Sequence, residues 1–86
     1  MDNQHRQIKG YRELNQEEID LMNEIKAKGE EMRDLIDRVR ALAEQAPAEP
    51  DAREADHPMY WVRYADGSFR SGLMYLTRAV ARPTSF

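Results

Sequence analysis

Two groups of residues have the types and spacing to hold an anion and a flat ring. Tyr11 stands shortly ahead of Asn15, where a helix is expected to begin, and Lys26 lies about three turns into that helix beside the apolar position Ile25. A tyrosine at a helix entry offers a face for stacking. A lysine beside an apolar seam offers a point charge for a phosphate. Taken singly, each is ordinary packing or surface charge; brought together by an oligomer, the pair can hold a nucleotide. The second group is the tail, where Thr77, Arg78, Arg82 and Thr84 gather cations and hydroxyls near a helix C-terminus. Dipole complementarity and capping by Arg78 and Arg82 explain the same residues without a ligand. On composition both readings stand.

Catalysis finds little support. The sequence contains no Ser-His-Asp order, no paired metal-ligand spacing and no glycine loop of the phosphate-cradling kind. Carboxylates are abundant but fall on one acidic helix, where a solvated face accounts for them. Cysteine is absent, and His5 and His57 lie far apart in the chain, too little for a structural metal cage. The expectation is a protein that is not an enzyme and uses no cofactor or metal.

The elements that must position these residues are helical. Asn15 with Glu18 three positions on reads as a capping box, and Glu17, Glu18 and Asp20 suit the positive end of a helix dipole. Met22, Ile25, Gly29, Met32, Ile36, Val39 and Ala43 then alternate in steps of three and four, a heptad seam that Leu21, Leu35 and Leu42 widen. Glu24 with Lys28 and Asp34 with Arg38 are spaced for ion pairs along the outer face. Gly29 interrupts the seam, costing about 1 kcal/mol against alanine; close helix contact and the approach of a ligand or partner backbone both explain it. Ile8, Tyr11 and Leu14 suggest a short helix before Asn15, weakened by Gly10. The stretch 46–58 holds Pro47, Pro50 and Pro58 among small and charged residues and reads as a flexible linker.

The last segment has two readings. Asp66-Gly67 between apolar-rich flanks fits a β-hairpin. Val62, Ala65, Phe69, Leu73, Leu76 and Val80 fit a helical face, with Pro58 at a first helical position after Asp56 or His57 as cap and Pro83 as the stop. Periodicity favours the helix. The expected organisation is one all-α domain over 1–86: a short N-terminal helix over 1–14, a long helix over 15–45, the linker over 46–58 and a C-terminal helix over 59–82.

At 86 residues with 41% hydrophobic content, a lone core is marginal, and without cysteine the remaining source of stability is oligomerisation. Charge is uneven: residues 1–15 carry +1, residues 16–58 carry −7 and residues 59–86 carry +3. An acidic middle argues against wrapping long nucleic acid and leaves room for a small anionic ligand. No apolar run approaches a membrane span, the start of the chain lacks an apolar signal core, and the lack of cysteine fits a reducing cytoplasm.

The string NQHRQIKGYRELNQEEIDLMNEIKAKGEEM, followed after the linker by GLMYLTRAVARPTSF, resembles the phage anti-CBASS cyclic-oligonucleotide sponge family. The likeness covers roughly residues 3–42 and 72–86. Trp61, Val62 and Gly72 fit the family pattern, whereas Tyr64-Ala-Asp-Gly-Ser-Phe69 departs from it, so contacts there are not carried over. The resemblance implies a compact helical protomer assembled into a homohexamer in the cytoplasm of an infected bacterial host. It implies binding, without cleavage, of the cyclic dinucleotides (such as 3',3'-cGAMP) and cyclic trinucleotides (such as cA3) that host CBASS immunity makes. It implies Tyr11 and Lys26 for a cyclic dinucleotide pocket between protomers, and a separate pocket for cyclic trinucleotides where three protomers meet. Thr77, Arg78, Arg82 and Thr84 are the candidates for that second pocket. Two other classes stay open: a coiled-coil adaptor whose seam is its whole function, and a small repressor-like nucleic-acid binder using the basic tail.

Overall fold

The computed structural model describes residues 13–84, as a helical hairpin. Helix α1 spans Gln16–Ala43, a single 3-10 turn covers Glu54–Asp56, and helix α2 spans Pro58–Ala81. Of the short helix expected over 1–14, residues 1–12 lie outside the described residues, and residues 13 and 14 are not helical. Asp66 and Gly67, the turn of the rival β-hairpin, sit inside α2.

Both helices begin on side-chain caps. Asn15 Oδ1 accepts from the Glu18 N–H at 2.9 Å, and Glu18 Oε1 accepts from the Asn15 N–H at 3.0 Å, which completes the capping box. Helix α2 is capped by His57 rather than Asp56. Its Nδ1 accepts from the Met59 N–H at 3.1 Å, with Pro58 in the first turn where a missing N–H costs nothing. The proton of the neutral ring therefore belongs on Nε2, which lies 3.1 Å from the Ala46 carbonyl and donates to it. One imidazole thus starts α2 and ties it to the end of α1. Trp61 Nε1 adds a bond to the Ala55 carbonyl at 2.9 Å. At the far end, Arg82 adopts the left-handed conformation (φ 43°), closes α2 through its N–H to the Arg78 carbonyl, and leads into Pro83.

The helices run antiparallel, as three cross-links along their length show: Glu18 to Arg82, Gly29 to Leu73, and Arg40 to Asp66. A Cβ added to Gly29 would stand 3.2 Å from Leu73 Cδ1, so the glycine permits close approach of α2. The core is small. Ile36, Ala43 and Val62 are buried, with Met32 and Met59 packed against them. Val39, placed on the seam by its spacing, instead lies on an exposed flank of α1, and Arg40 turns inward in its place. The reason is the neighbour: Asp66 of α2 faces Arg40 and pairs with it at 3.1 Å. Phe69 and Leu76, expected on the inner face of α2, are also exposed. Lys28 pairs with Glu31 at 3.3 Å rather than with Glu24, while the Asp34–Arg38 pair forms at 3.2 Å.

A compact monomer of 10.1 kDa would expose about 5,300 Å² and have a radius of gyration near ~12 Å. The chain exposes 7268 Å² and has a radius of 18.6 Å. Its length leaves a broad apolar flank uncovered, with Leu35, Val39 and Leu42 on α1 and Trp61 and Leu76 on α2.

Two stability predictions follow from these contacts. His57→Ala removes the α2 cap and the tie to Ala46, and is expected to cost about 1 kcal/mol by urea unfolding; His57→Asn, which keeps a capping acceptor, should cost less. Asp66 is the second case. The hydrogen bond from Arg70, and then the charges of Arg70 and Arg40, hold its carboxyl below the usual carboxylate range. A depressed folded-state value contributes stability above the unfolded value of about 3.9 that is lost as pH falls through the folded one. Thermal melts of the wild type should therefore fall on acidification below that value, and Asp66→Asn should flatten that part of the profile.

Candidate functional site

Of the two sides of the hairpin, one is a groove and the other is the apolar flank. Lys26 and Arg33, seven residues apart on α1, line one wall of the groove, with Arg40 a further heptad on and paired with Asp66, and Arg70, Met74 and Thr77 line the groove from α2. The α-helix turns 100° per residue, so a wall built from these positions puts Leu35, Val39 and Leu42 on the opposite side. On α1, the cations of the groove wall and these exposed apolar residues therefore lie on opposite sides.

Toward the open end of the hairpin the groove widens to a cavity of about 430 Å³. Its floor is Met22, Ile25 and Leu73, with Gly29 at its inner limit. Lys26 stands on its rim beside Asn23, and Thr77 reaches it from α2. Lys26 has no ion pair among the described residues. Thr77 Oγ1 donates to the Leu73 carbonyl at 2.9 Å, which fixes its hydrogen and leaves its oxygen free to accept. An ammonium, an amide and an oriented hydroxyl over an apolar floor suit an anionic ligand with a flat, hydrogen-bonding ring.

The sequence-derived candidates are distributed as follows. Tyr11 lies outside the described residues. Lys26 and Thr77, candidates for two different pockets under the family resemblance, line one cavity. Arg82 Nη2 is 3.6 Å from Glu18 Oε2, so it links the end of α2 to the capping box of α1. Arg78 occupies the last turn of α2, where its carbonyl accepts from Arg82, and Thr84 is exposed beyond Pro83.

Spacing alone did not single out Arg33, Asp66 or Arg70. They meet in a second cavity of about 270 Å³ on the other side of Gly29 and Leu73. The heptad recurrence of Lys26, Arg33 and Arg40 was the available signal for that wall. Asp66, the sole acid after residue 58, was read only as a turn residue. Its two oxygens hold Arg70 Nε at 2.7 Å and Arg40 Nη2 at 3.1 Å, and Arg70 is held above its usual value by the same bond. On the outer face of α2, Tyr60, Trp61 and Tyr64 form a ring cluster, with centroids 5.1 Å apart for Tyr60–Trp61 and 4.9 Å for Tyr60–Tyr64. The hydrogen bond to Tyr64 pushes the Tyr60 phenol up. Among the described residues there is no cluster of metal-ligating side chains, and no helix is long and apolar enough to cross a membrane.

No protein-family model matches the chain. It is similar to anti-CBASS protein 2 of Pseudomonas phage JBD67, with 35% identity over an alignment of 105 positions, gaps included, that covers 96% of this chain and 97% of that protein. A match of that identity over nearly both full lengths places the chain in the anti-CBASS protein 2 family.

Proposed function

We propose that this member of the anti-CBASS protein 2 family is a phage-encoded sponge. In this reading it binds the cyclic di- and trinucleotide messengers of host CBASS immunity in the cytoplasm of the infected cell and withholds them from their effectors without cleaving them. The observation that carries the reading is Lys26: an ammonium with no ion pair among the described residues, set beside Asn23 and Thr77 over an apolar floor. A carboxylate partner would have neutralised it; the described chain supplies none. Sequestration requires tight binding and no turnover, so a groove without a general base or nucleophile is sufficient for it.

The assembly belongs to the same proposal. A hairpin with Leu42 68% exposed and Trp61 59% exposed gains stability by covering that flank with another copy, at roughly 25 cal/mol per Å² of apolar surface removed from water. A homohexamer does this and brings copies of the groove together. A cyclic dinucleotide has two bases and two phosphates in approximate twofold symmetry, and a twofold interface presents each residue twice. Tyr11 from two protomers would stack on the bases and Lys26 from two protomers would meet the phosphates. A threefold meeting of protomers would offer one cation per phosphate to a cyclic trinucleotide. Arg78 is the anchor proposed for that pocket, with Thr77, Arg82 and Thr84 around it.

Light scattering at micromolar concentration is expected to give a hexamer; a monodisperse 10.1 kDa species that unfolds cooperatively would defeat the interface pockets. Calorimetry against 3',3'-cGAMP and cA3 tests the ligands. Tyr11→Ala should lose on the order of 1–3 kcal/mol per stacked base, and Lys26→Ala should weaken binding and reduce its salt dependence. Arg78→Ala should weaken the trinucleotide and spare the dinucleotide, with Tyr11→Ala doing the reverse. Displacement of one ligand by the other in equal amounts would mean a single shared site.

A further inference from the structure

The groove does not end at Lys26. Past Gly29 and Leu73, which line both cavities, it narrows to the more enclosed space between Arg33 and Arg70. We infer that Arg33 and Arg70 form a second anion-binding subsite there, and that the Asp66 carboxylate competes with an incoming anion for Arg70.

The three guanidinium groups at this end are not held alike. Arg40 is held by Asp37 Oδ1 at 2.8 Å and by Asp66 Oδ2 at 3.1 Å, while Arg70 is held by Asp66 Oδ1 at 2.7 Å. Arg33 has no ion pair among the described residues, so of the three guanidinium groups it is the one that no carboxylate holds. It lines a cavity whose apolar members are Met32, Ile36, Phe69 and Leu73, where a less polar surround strengthens its attraction for an anion. Guanidinium groups present paired donors that match phosphate oxygens. The Arg70 side chain is 76% exposed, so an anion can reach it from solvent, whereas Asp66 is only 24% exposed and holds a guanidinium on each oxygen. Exchange trades like for like on the arginine side: Arg70 leaves one oxygen anion for another, and Asp66 keeps Arg40.

The spacing narrows the ligand class. Lys26 and Arg33 are seven residues apart on one helix, about 10 Å along its axis. Two cations so separated on one wall, with apolar floor between them, fit a ligand that carries at least two phosphates and an aromatic surface. A mononucleotide reaches one cation and forfeits the other. The cavity of about 270 Å³ admits a base or a phosphate and sugar, not an entire cyclic oligonucleotide, so the ligand must lie along the groove and occupy both ends. The identity of the ligand as a cyclic oligonucleotide rests on the reading given under Proposed function; the subsite itself rests on the charges and the cavity.

The test uses the full chain, with circular dichroism to check that each variant keeps its helices. By calorimetry with 3',3'-cGAMP, Arg33→Ala and Arg33→Gln are each expected to weaken binding roughly tenfold or more, as loss of a charged hydrogen bond does. Asp66→Asn is expected to tighten it several-fold by releasing Arg70. Wild-type affinity and wild-type salt dependence in both Arg33 variants would overturn the subsite, and unchanged or weaker binding by a folded Asp66→Asn would overturn the competition. If the wild type binds no cyclic nucleotide at all, the sponge reading fails on its own, and inorganic pyrophosphate becomes the probe. Titrated perturbation of the Arg33 and Arg70 Nε–Hε signals by NMR, lost in Arg33→Ala, would retain the anion subsite; no perturbation would overturn it.

Discussion

Two helices that meet along one seam can bury only what lies on that seam, and the rest of this chain follows from that limit. Ile36, Ala43 and Val62 with their methionine neighbours form the core, and no third layer lies behind either helix among the described residues. A seam so narrow cannot offset the conformational entropy of a hairpin this long by packing alone. The ends are therefore fastened by polar groups. His57 fastens the connected end, through its cap on α2 and its bond to Ala46. Arg82 fastens the open end, where its guanidinium meets the same Glu18 that closes the α1 capping box. Asp66 fastens the middle through Arg40. These contacts fix the register of the two helices, and the register decides which residues share a side.

That register separates two surfaces with different chemistry. The apolar flank and the cationic groove are each assembled from both helices, so neither exists in an isolated helix. Sliding α2 by one turn would part Lys26 from Thr77 and Arg33 from Arg70 as surely as it would break the Glu18–Arg82 link. Gly29 sits where the two surfaces constrain each other. Without a side chain it brings α2 close at Leu73, and the same lack of bulk keeps the groove continuous between its two cavities. Of the two explanations open on sequence grounds, the close helix contact is the one seen at this position.

Much of the fold was legible because it depends on local signals. The Asn15–Glu18 box, Pro58 at the start of α2 and Pro83 after its end are short-range features whose geometry involves few neighbours. The seam was legible as a period but not in every member. Val39 fits the heptad as well as Ile36 does, yet Arg40 faces α2, because a partner for it, Asp66, stands opposite. That partner is 26 residues away in the chain, and no window along one helix contains it. The same holds for the groove. Lys26 was readable as a cation beside a seam, but the company of Thr77, and the meeting of Arg33 with Arg70, depend on how two distant segments align. His57 was readable as a cap candidate; its second bond, to Ala46, required the path of the intervening chain.

The tail shows how structural and binding roles compete for the same side chains. Composition grouped Thr77, Arg78, Arg82 and Thr84, but a helix spreads neighbours in sequence over different directions. Thr77 points to the groove, Arg82 is drawn to Glu18 after a left-handed residue closes the helix, and Thr84 lies beyond Pro83. For Arg82 to meet a phosphate it would have to leave Glu18. That pair is long, at 3.6 Å, and Arg82 is 67% exposed, so the exchange costs little, as surface ion pairs generally do. Asp66 and Arg70 present the same arrangement at the other end of the groove, with a shorter bond and therefore a stronger hold. Under the proposed sponge reading, a chain of this length divides few cations between holding itself together and holding an anion. Arginines paired with carboxylates until a phosphate competes for them would serve both needs, and Lys26 and Arg33, unpaired among the described residues, would make the first contact.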